Sequence, residues 1–217
     1  MTHKSFINNT VAFVKQTLTN AEGGHDWWHV YRVWQLSKNI AATEKVDLLV
    51  VELGALLHDI ADAKFHNNDE NVGPRIALEF LQTNGVEELT CKHVVNIIQH
   101  ISFGGGNNAV LFSSPELAVV QDADRLDALG AIGIARTFNY GGFKNREMYN
   151  PTIKPNLNMT KAEYRTSTAP TINHFYEKLL LLKDRMNTAT GKRMATERHL
   201  FMELFLEQFY AEWEGNK

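Results

Sequence analysis

The sequence predicts an all-α fold, a single-domain bundle of about eight helices. Three observations predict it. Apolar residues recur at the 3.6-residue helical period over most of the chain. Alternating apolar and polar runs, the mark of half-buried strands, are nearly absent. Proline is scarce, five in 217 residues, and Pro74 and Pro115 stand where helices begin.

The elements follow in order. Ile7, Val11, Val14 and Leu18 draw a first amphipathic helix, ended by residues 20–24. A second covers about residues 25–43, with His29, Val33, Leu36 and Ile40 on its inward stripe. A third starts after Asp47, whose short carboxylate suits an N-cap, and runs to about residue 61. Leu49, Leu53, Leu56 and Ile60 form its stripe. Residues 64–72 are polar and read as a loop. Pro74 opens a fourth helix that Asn84-Gly85 stops. Residues 86–102 make a fifth, closed by Gly104-Gly105-Gly106, a cluster without the Lys-Ser/Thr of a P-loop. Pro115 opens the longest periodic segment, about residues 116–138. Residues 139–159, rich in Gly, Asn, Pro and Lys, form the longest irregular stretch, a length that usually signals function. Two helices close the chain, over about 169–187 and 190–213.

Composition narrows the function. Lys and Arg number 22 against 25 Asp and Glu, a net charge of −3. That balance excludes binding to nucleic-acid polymers through bulk positive charge. The lone cysteine, Cys91, excludes an intramolecular disulfide framework and a multi-cysteine zinc site, and it suits a reducing compartment. No stretch approaches the ~20 apolar residues of a membrane span. The expectation is a cytoplasmic protein with no membrane partner.

The informative residues are those that do not suit the faces they occupy. His29 sits on an apolar stripe. His58-Asp59 end the third helix, and Asp62 shares their side if the helix continues. Gly54 and Ala55 stand one turn earlier, leaving room under the pair. In the longest segment Leu117, Val120, Asp124, Asp127, Ala131, Ile134 and Phe138 share one stripe, so two carboxylates interrupt an apolar face. An uncompensated buried carboxylate costs several kcal/mol. A metal ion is the economical counter-charge. Two imidazoles and at least two carboxylates suit one divalent cation, Mn²⁺ by preference, with Fe, Co²⁺, Zn²⁺, Ni²⁺ and Mg²⁺ compatible. Four such ligands on an octahedral ion leave positions for water and for a substrate oxygen.

These motifs, His29 in HDWWHVYRV, His58-Asp59 in ALLHDIAD and Asp124 in QDADRLDALG, resemble the H…HD…D pattern of the HD-domain superfamily of metal-dependent phosphohydrolases. The spacings of 29 and then 65 residues are typical of it, and the likeness covers roughly residues 20–140. The resemblance implies an HD-type core there, with C-terminal helices of about residues 160–215 packing on it in one domain. It implies a metal held by His29, His58, Asp59 and Asp124. The longer motifs are similar to a bacterial group of nucleoside triphosphate pyrophosphohydrolases. A phosphorylated small molecule, a nucleotide, is then the expected substrate, cut to monophosphate and pyrophosphate by metal-activated hydroxide. A monophosphatase, a phosphodiesterase or a degenerate signalling module are the alternatives, and a homo-oligomer is compatible. Asp62 would orient or deprotonate the attacking water, and Lys64 would neutralise the leaving phosphate. His100 would meet phosphate, Arg125 would bind phosphate or pair with Asp122, and Lys144 and Arg146 would close over phosphates. Asp127 would hold a ligand histidine or a water, and His93 would be structural or on the surface. His174 and Lys178, one turn apart, are further cleft candidates, and Trp27-Trp28 read as core.

Overall fold

The computed structural model describes residues 2–19, 21, 24–61, 69, 71–101 and 112–217. They form two compact units, Met1–Asp124 and Arg125–Lys217. Among the described residues all regular structure is helical: ten α-helices and two one-turn 3-10 segments. Eight of the ten helices have ten residues or more. Asp62, Lys64 and Gly104–Gly106 lie outside the described residues.

The first unit holds α1 (His3–Thr17), α2 (Trp27–Ala41), α3 (Leu48–Leu57), α4 (Val72–Thr83), α5 (Glu88–His100) and most of α6 (Pro115–Asp127). α3 is its centre, packed by α1, α2 and α5. Its sequence LLVVELGALL is apolar all round, and residues 50–57 are all buried, as a helix without a polar face must be. Asp47 caps it, accepting from the Leu49 amide at 2.9 Å. Glu52 is the one charge in this run. The Trp34 indole N–H reaches its Oε1 at 2.8 Å, and His3 Nε2 reaches its Oε2, so α2 and α1 are both tied to α3. Gly54 allows a close approach of α5, since a Cβ there would stand 3.2 Å from Ile97 Cγ2. The space the sequence assigned to the site is therefore taken by Ile97.

α3 ends at Leu57, short of the expected residue 61. The reason lies in the side chain that follows. His58 Nδ1 sits 2.7 Å from the Ala55 carbonyl oxygen and satisfies a group that a continuing helix would have bonded from position 59. Trp28, expected in the core, is 61% exposed, while Lys15 Nζ stands over Trp27 at 4.8 Å from the ring centre.

α6 opens on Pro115, with the Ser114 hydroxyl accepting from the Leu117 amide at 3.0 Å. It stops at Asp127. Leu129 is extended and Gly130 takes φ +71°, a left-handed turn that suits glycine, before α7 (Gly130–Phe143) begins. The single long helix expected over 116–138 is thus two helices.

The second unit holds α7, α8 (Lys161–Thr166), α9 (Asn173–Glu177) and α10 (Ala189–Trp213). α10 packs on α7. Phe138, Phe175 and Phe205 meet between them with ring centres 5.9–6.1 Å apart. The helix expected over 169–187 is instead α9 and two 3-10 turns, because Lys178 leaves helical geometry at φ −143°. Residues 139–143 belong to α7, so the irregular segment starts at Lys144. α8, which the sequence reading missed, closes that segment with a capping box between Thr160 and Glu163.

Candidate metal centre

Three elements of the first unit deliver the four expected ligands. Asp26 caps α2 and accepts from the His29 amide at 2.9 Å, which fixes His29 in the first turn. His29 is buried, and its Nε2 lies 3.3 Å from His58 Nε2. The Ala55 carbonyl can only accept, so His58 Nδ1 carries the proton there. The lone pair of His58 is then on Nε2, facing His29. Asp124, on the last turns of α6, brings Oδ1 to 3.5 Å from His29 Nε2 and 3.9 Å from His58 Nε2. Asp59 Oδ2 is 3.8 Å from His29 Nε2. Ligand atoms of His29, His58 and Asp59 all lie within 4.8 Å of one another.

The separations of 3.3 and 3.5 Å are close to those of donors that share a cation. Donors roughly 2.1 Å from one ion stand roughly 3.0 Å apart at right angles and roughly 3.4 Å apart at the tetrahedral angle. Two imidazole nitrogens facing each other among two carboxylates are also the borderline N/O set that suits Mn²⁺, Fe, Co²⁺ or Zn²⁺. His29, His58 and Asp59 could therefore hold a divalent metal, and Asp124 Oδ1 stands beside both imidazoles.

His25, which the sequence reading passed over, touches this centre. Its Nδ1 is 2.6 Å from Asp59 Oδ2. Burial pushes the Asp59 carboxyl up, but the His25 hydrogen bond and the fields of His58, His25 and His29 outweigh it. The group is held below the ordinary carboxylate value.

The remaining expected residues have the following surroundings. His93 Nε2 bonds the Ser114 hydroxyl at 2.9 Å and sits 3.4 Å from Glu116, a structural setting. His100 Nδ1 bonds the Asn96 carbonyl at 2.8 Å, with its ring against Phe112. In the second unit Arg125 donates to the Arg185 carbonyl at 2.6 Å, and Arg146 to the Ser167 carbonyl at 2.6 Å. Lys144 is exposed, over the Phe143 ring at 4.9 Å. Asp127 is buried and paired with Arg136 at 2.7 Å, so an arginine and not a metal answers its charge. His174 is held neutral, pushed down to about 3 by burial, Lys178 and Arg146. The Tyr164 hydroxyl, pushed up to about 12 chiefly by burial, shares a hydrogen bond with its Nδ1 at 2.8 Å. No described helix is long and apolar enough to cross a membrane.

Comparison with known proteins gives the family. The HD domain family matches residues 27–129. YpgQ of Bacillus subtilis strain 168 is 38% identical over 204 residues, covering 94% of this chain and 91% of that protein. The crystal structure of an HD-superfamily hydrolase from Bacillus thuringiensis matches with a TM-score of 0.78 and 45% identity, over 98% of this chain and 99% of that one. The crystal structure of B. subtilis YpgQ in complex with ADP matches with a TM-score of 0.78 and 34% identity in the structural alignment, over 98% and 97% of the two chains.

Proposed function

The chain belongs to the HD-domain family and is a metal-dependent hydrolase, and from that premise we propose that it acts on (deoxy)nucleoside triphosphates, releasing monophosphate and pyrophosphate. One observation carries the reading: His29, His58 and Asp124, from three separate elements, bring donor atoms to 3.3–3.9 Å of one another, with Asp59 beside them. The ADP held by the related YpgQ supports a nucleotide as the ligand.

A divalent cation at such a centre, Mn²⁺ by preference, supplies a Lewis acid for phosphate oxygen and lowers the pKa of water toward neutrality. The protein's part is to hold it. His29 and His58 would offer Nε2 lone pairs, and Asp59 and Asp124 would offer two carboxylates to balance a doubly charged ion. In phosphoryl transfer negative charge spreads over the phosphoryl and leaving oxygens, so fixed cations and positioning carry the rest of the catalysis. To Asp62 we assign orientation or deprotonation of the attacking water, and to Lys64 neutralisation of the leaving phosphate. His100, Arg125, Lys144 and Arg146 are the candidates for phosphate contact. Arg146 enters that role with one donor bonded to Ser167, and a guanidinium has four more N–H groups to offer.

The test is product analysis. Protein stripped by chelation is incubated with each deoxynucleoside triphosphate and Mn²⁺, Mg²⁺, Co²⁺ or Zn²⁺, and the products are resolved. Monophosphate and pyrophosphate in equal amounts are expected, with Mn²⁺ most effective. Orthophosphate alone means that a different bond is cut. No hydrolysis with any ion overturns the substrate assignment.

A further inference from the structure

Immediately before α2 stand His25 and Asp26, and each serves a different presumed ligand of the centre. Asp26 holds the backbone of His29 through the helix cap, while His25 reaches across to the segment after α3 and bonds Asp59. His25 Nδ1 is 2.6 Å from a carboxylate oxygen of Asp59, so its contact is with a residue proposed as a ligand. The 2.6 Å separation is that of a strong charge-assisted hydrogen bond to a carboxylate. A carboxylate accepts only, so His25 presents Nδ1–H. One oxygen of Asp59 is thereby held in a fixed direction before any ion arrives. A carboxylate on a short segment just beyond a helix end would otherwise lose rotamer freedom on binding.

We infer that His25 is a positioning residue, which fixes the Asp59 carboxylate through Nδ1–H and so preorganises the centre for its divalent cation. The inference rests on the metal-centre reading above. Hydrogen-bond partners of metal ligands typically contribute 10–100-fold to metal affinity.

The covalent structure of the side chain gives a sharp test. The amide nitrogen of asparagine lies at the same bond distance from Cβ as Nδ1 of histidine, whereas that of glutamine lies one bond further. Mn²⁺ affinity of the metal-stripped protein is measured by titration calorimetry for the native chain, His25→Ala, His25→Asn and His25→Gln. Thermal melts of the same metal-free samples check that each is folded. The expected result is a 10–100-fold loss for His25→Ala, recovery to within about threefold for His25→Asn, and no recovery for His25→Gln. Native affinity in His25→Ala overturns the inference. So does a folded His25→Asn that binds no better than His25→Ala, since a donor at the Nδ1 position would then be insufficient. If the native chain itself takes up no Mn²⁺, the metal-centre reading fails first and this inference falls with it.

Discussion

The Arg136→Met variant tests how buried charge is balanced in the second unit. The Asp127 side chain is 1% exposed and that of Arg136 is 28% exposed, and they meet at 2.7 Å. The same guanidinium nitrogen also donates to the Asp127 carbonyl oxygen at 3.2 Å. Methionine keeps much of the stem and removes the charge. Breaking a buried pair from one side costs about 3–5 kcal/mol, because the surviving ion is left in a poor solvent. Arg198, whose guanidinium feels the Asp127 charge, softens this, which places the expected loss at about 3 kcal/mol. That is roughly a hundredfold in the folding equilibrium. With a urea m-value of about 2–3 kcal/mol/M, the unfolding midpoint falls by about 1–1.5 M. Combining Arg136→Met with Asp127→Asn removes the stranded charge and restores more than half of the loss. A shift below about 0.3 M in the single variant would refute the reasoning, since the carboxylate would then owe little to Arg136.

Other perturbations probe other features. Gly130→Ala places a Cβ in left-handed backbone, 3.1 Å from Arg198 Cγ, and costs at least about 1–2 kcal/mol. The thermal midpoint should drop by about 2–8 °C, more than for Gly215→Ala, whose backbone is equally left-handed at φ +69° but whose site is open. His174 in the folded chain titrates near 3 against an ordinary 6.5, so the unfolded chain binds the extra proton in between. Its contribution to stability is complete above pH 6.5 and is lost as pH falls toward 3. Between pH 7 and 4.5 the native chain should lose about 2–3 kcal/mol more than His174→Asn in parallel urea titrations. Asp124→Asn removes one of the four proposed ligands. Losing a direct ligand costs at least as much as losing a ligand's hydrogen-bond partner, so Mn²⁺ affinity falls by about 10²-fold or more, and a change under threefold in equilibrium dialysis would exclude Asp124 as a ligand.

The fold class was legible because helical periodicity survives in sequence wherever one face is buried, as in α1 and α2. The breaks were not, because periodicity can continue across them. Ala131, Ile134 and Phe138 keep the spacing set by Leu117, Val120 and Asp124, so 116–138 reads as one helix. Only Gly130, an unremarkable residue inside an apolar run, carries the left-handed turn that separates α6 from α7. The same break hid the partner of Asp127. Arg136 lies nine residues further on, which on one continuous helix would place it well out of reach. With the chain turned at Gly130 its side chain returns to 2.7 Å. Missing the turn led directly to placing Asp127 beside the metal centre, holding a ligand histidine or a water.

The centre was more legible than its supports, for a related reason. His29 and Asp124 betray themselves by sitting on oily stripes, where a polar group needs an explanation. His58-Asp59 betray themselves by ending a helix that is apolar on every side. His25 offers neither signal. It precedes α2 in no periodic position, and its partner is 34 residues away in sequence. Glu52, inside LLVVELGALL, did carry a signal of the first kind, a lone charge in an apolar helix. The structure shows what that signal meant: a clasp from His3 and Trp34 that holds α1 and α2 against α3. The two charges thus have different explanations, the buried Glu52 joining helices and the part-exposed Asp124 facing imidazoles. What separates them is the chemistry that meets each one. Glu52 meets an indole N–H and a half-exposed imidazole, a donor set that closes on itself. Asp124 meets His29 and His58 at 3.5 and 3.9 Å, beyond direct hydrogen-bond length and within the reach of a shared ion.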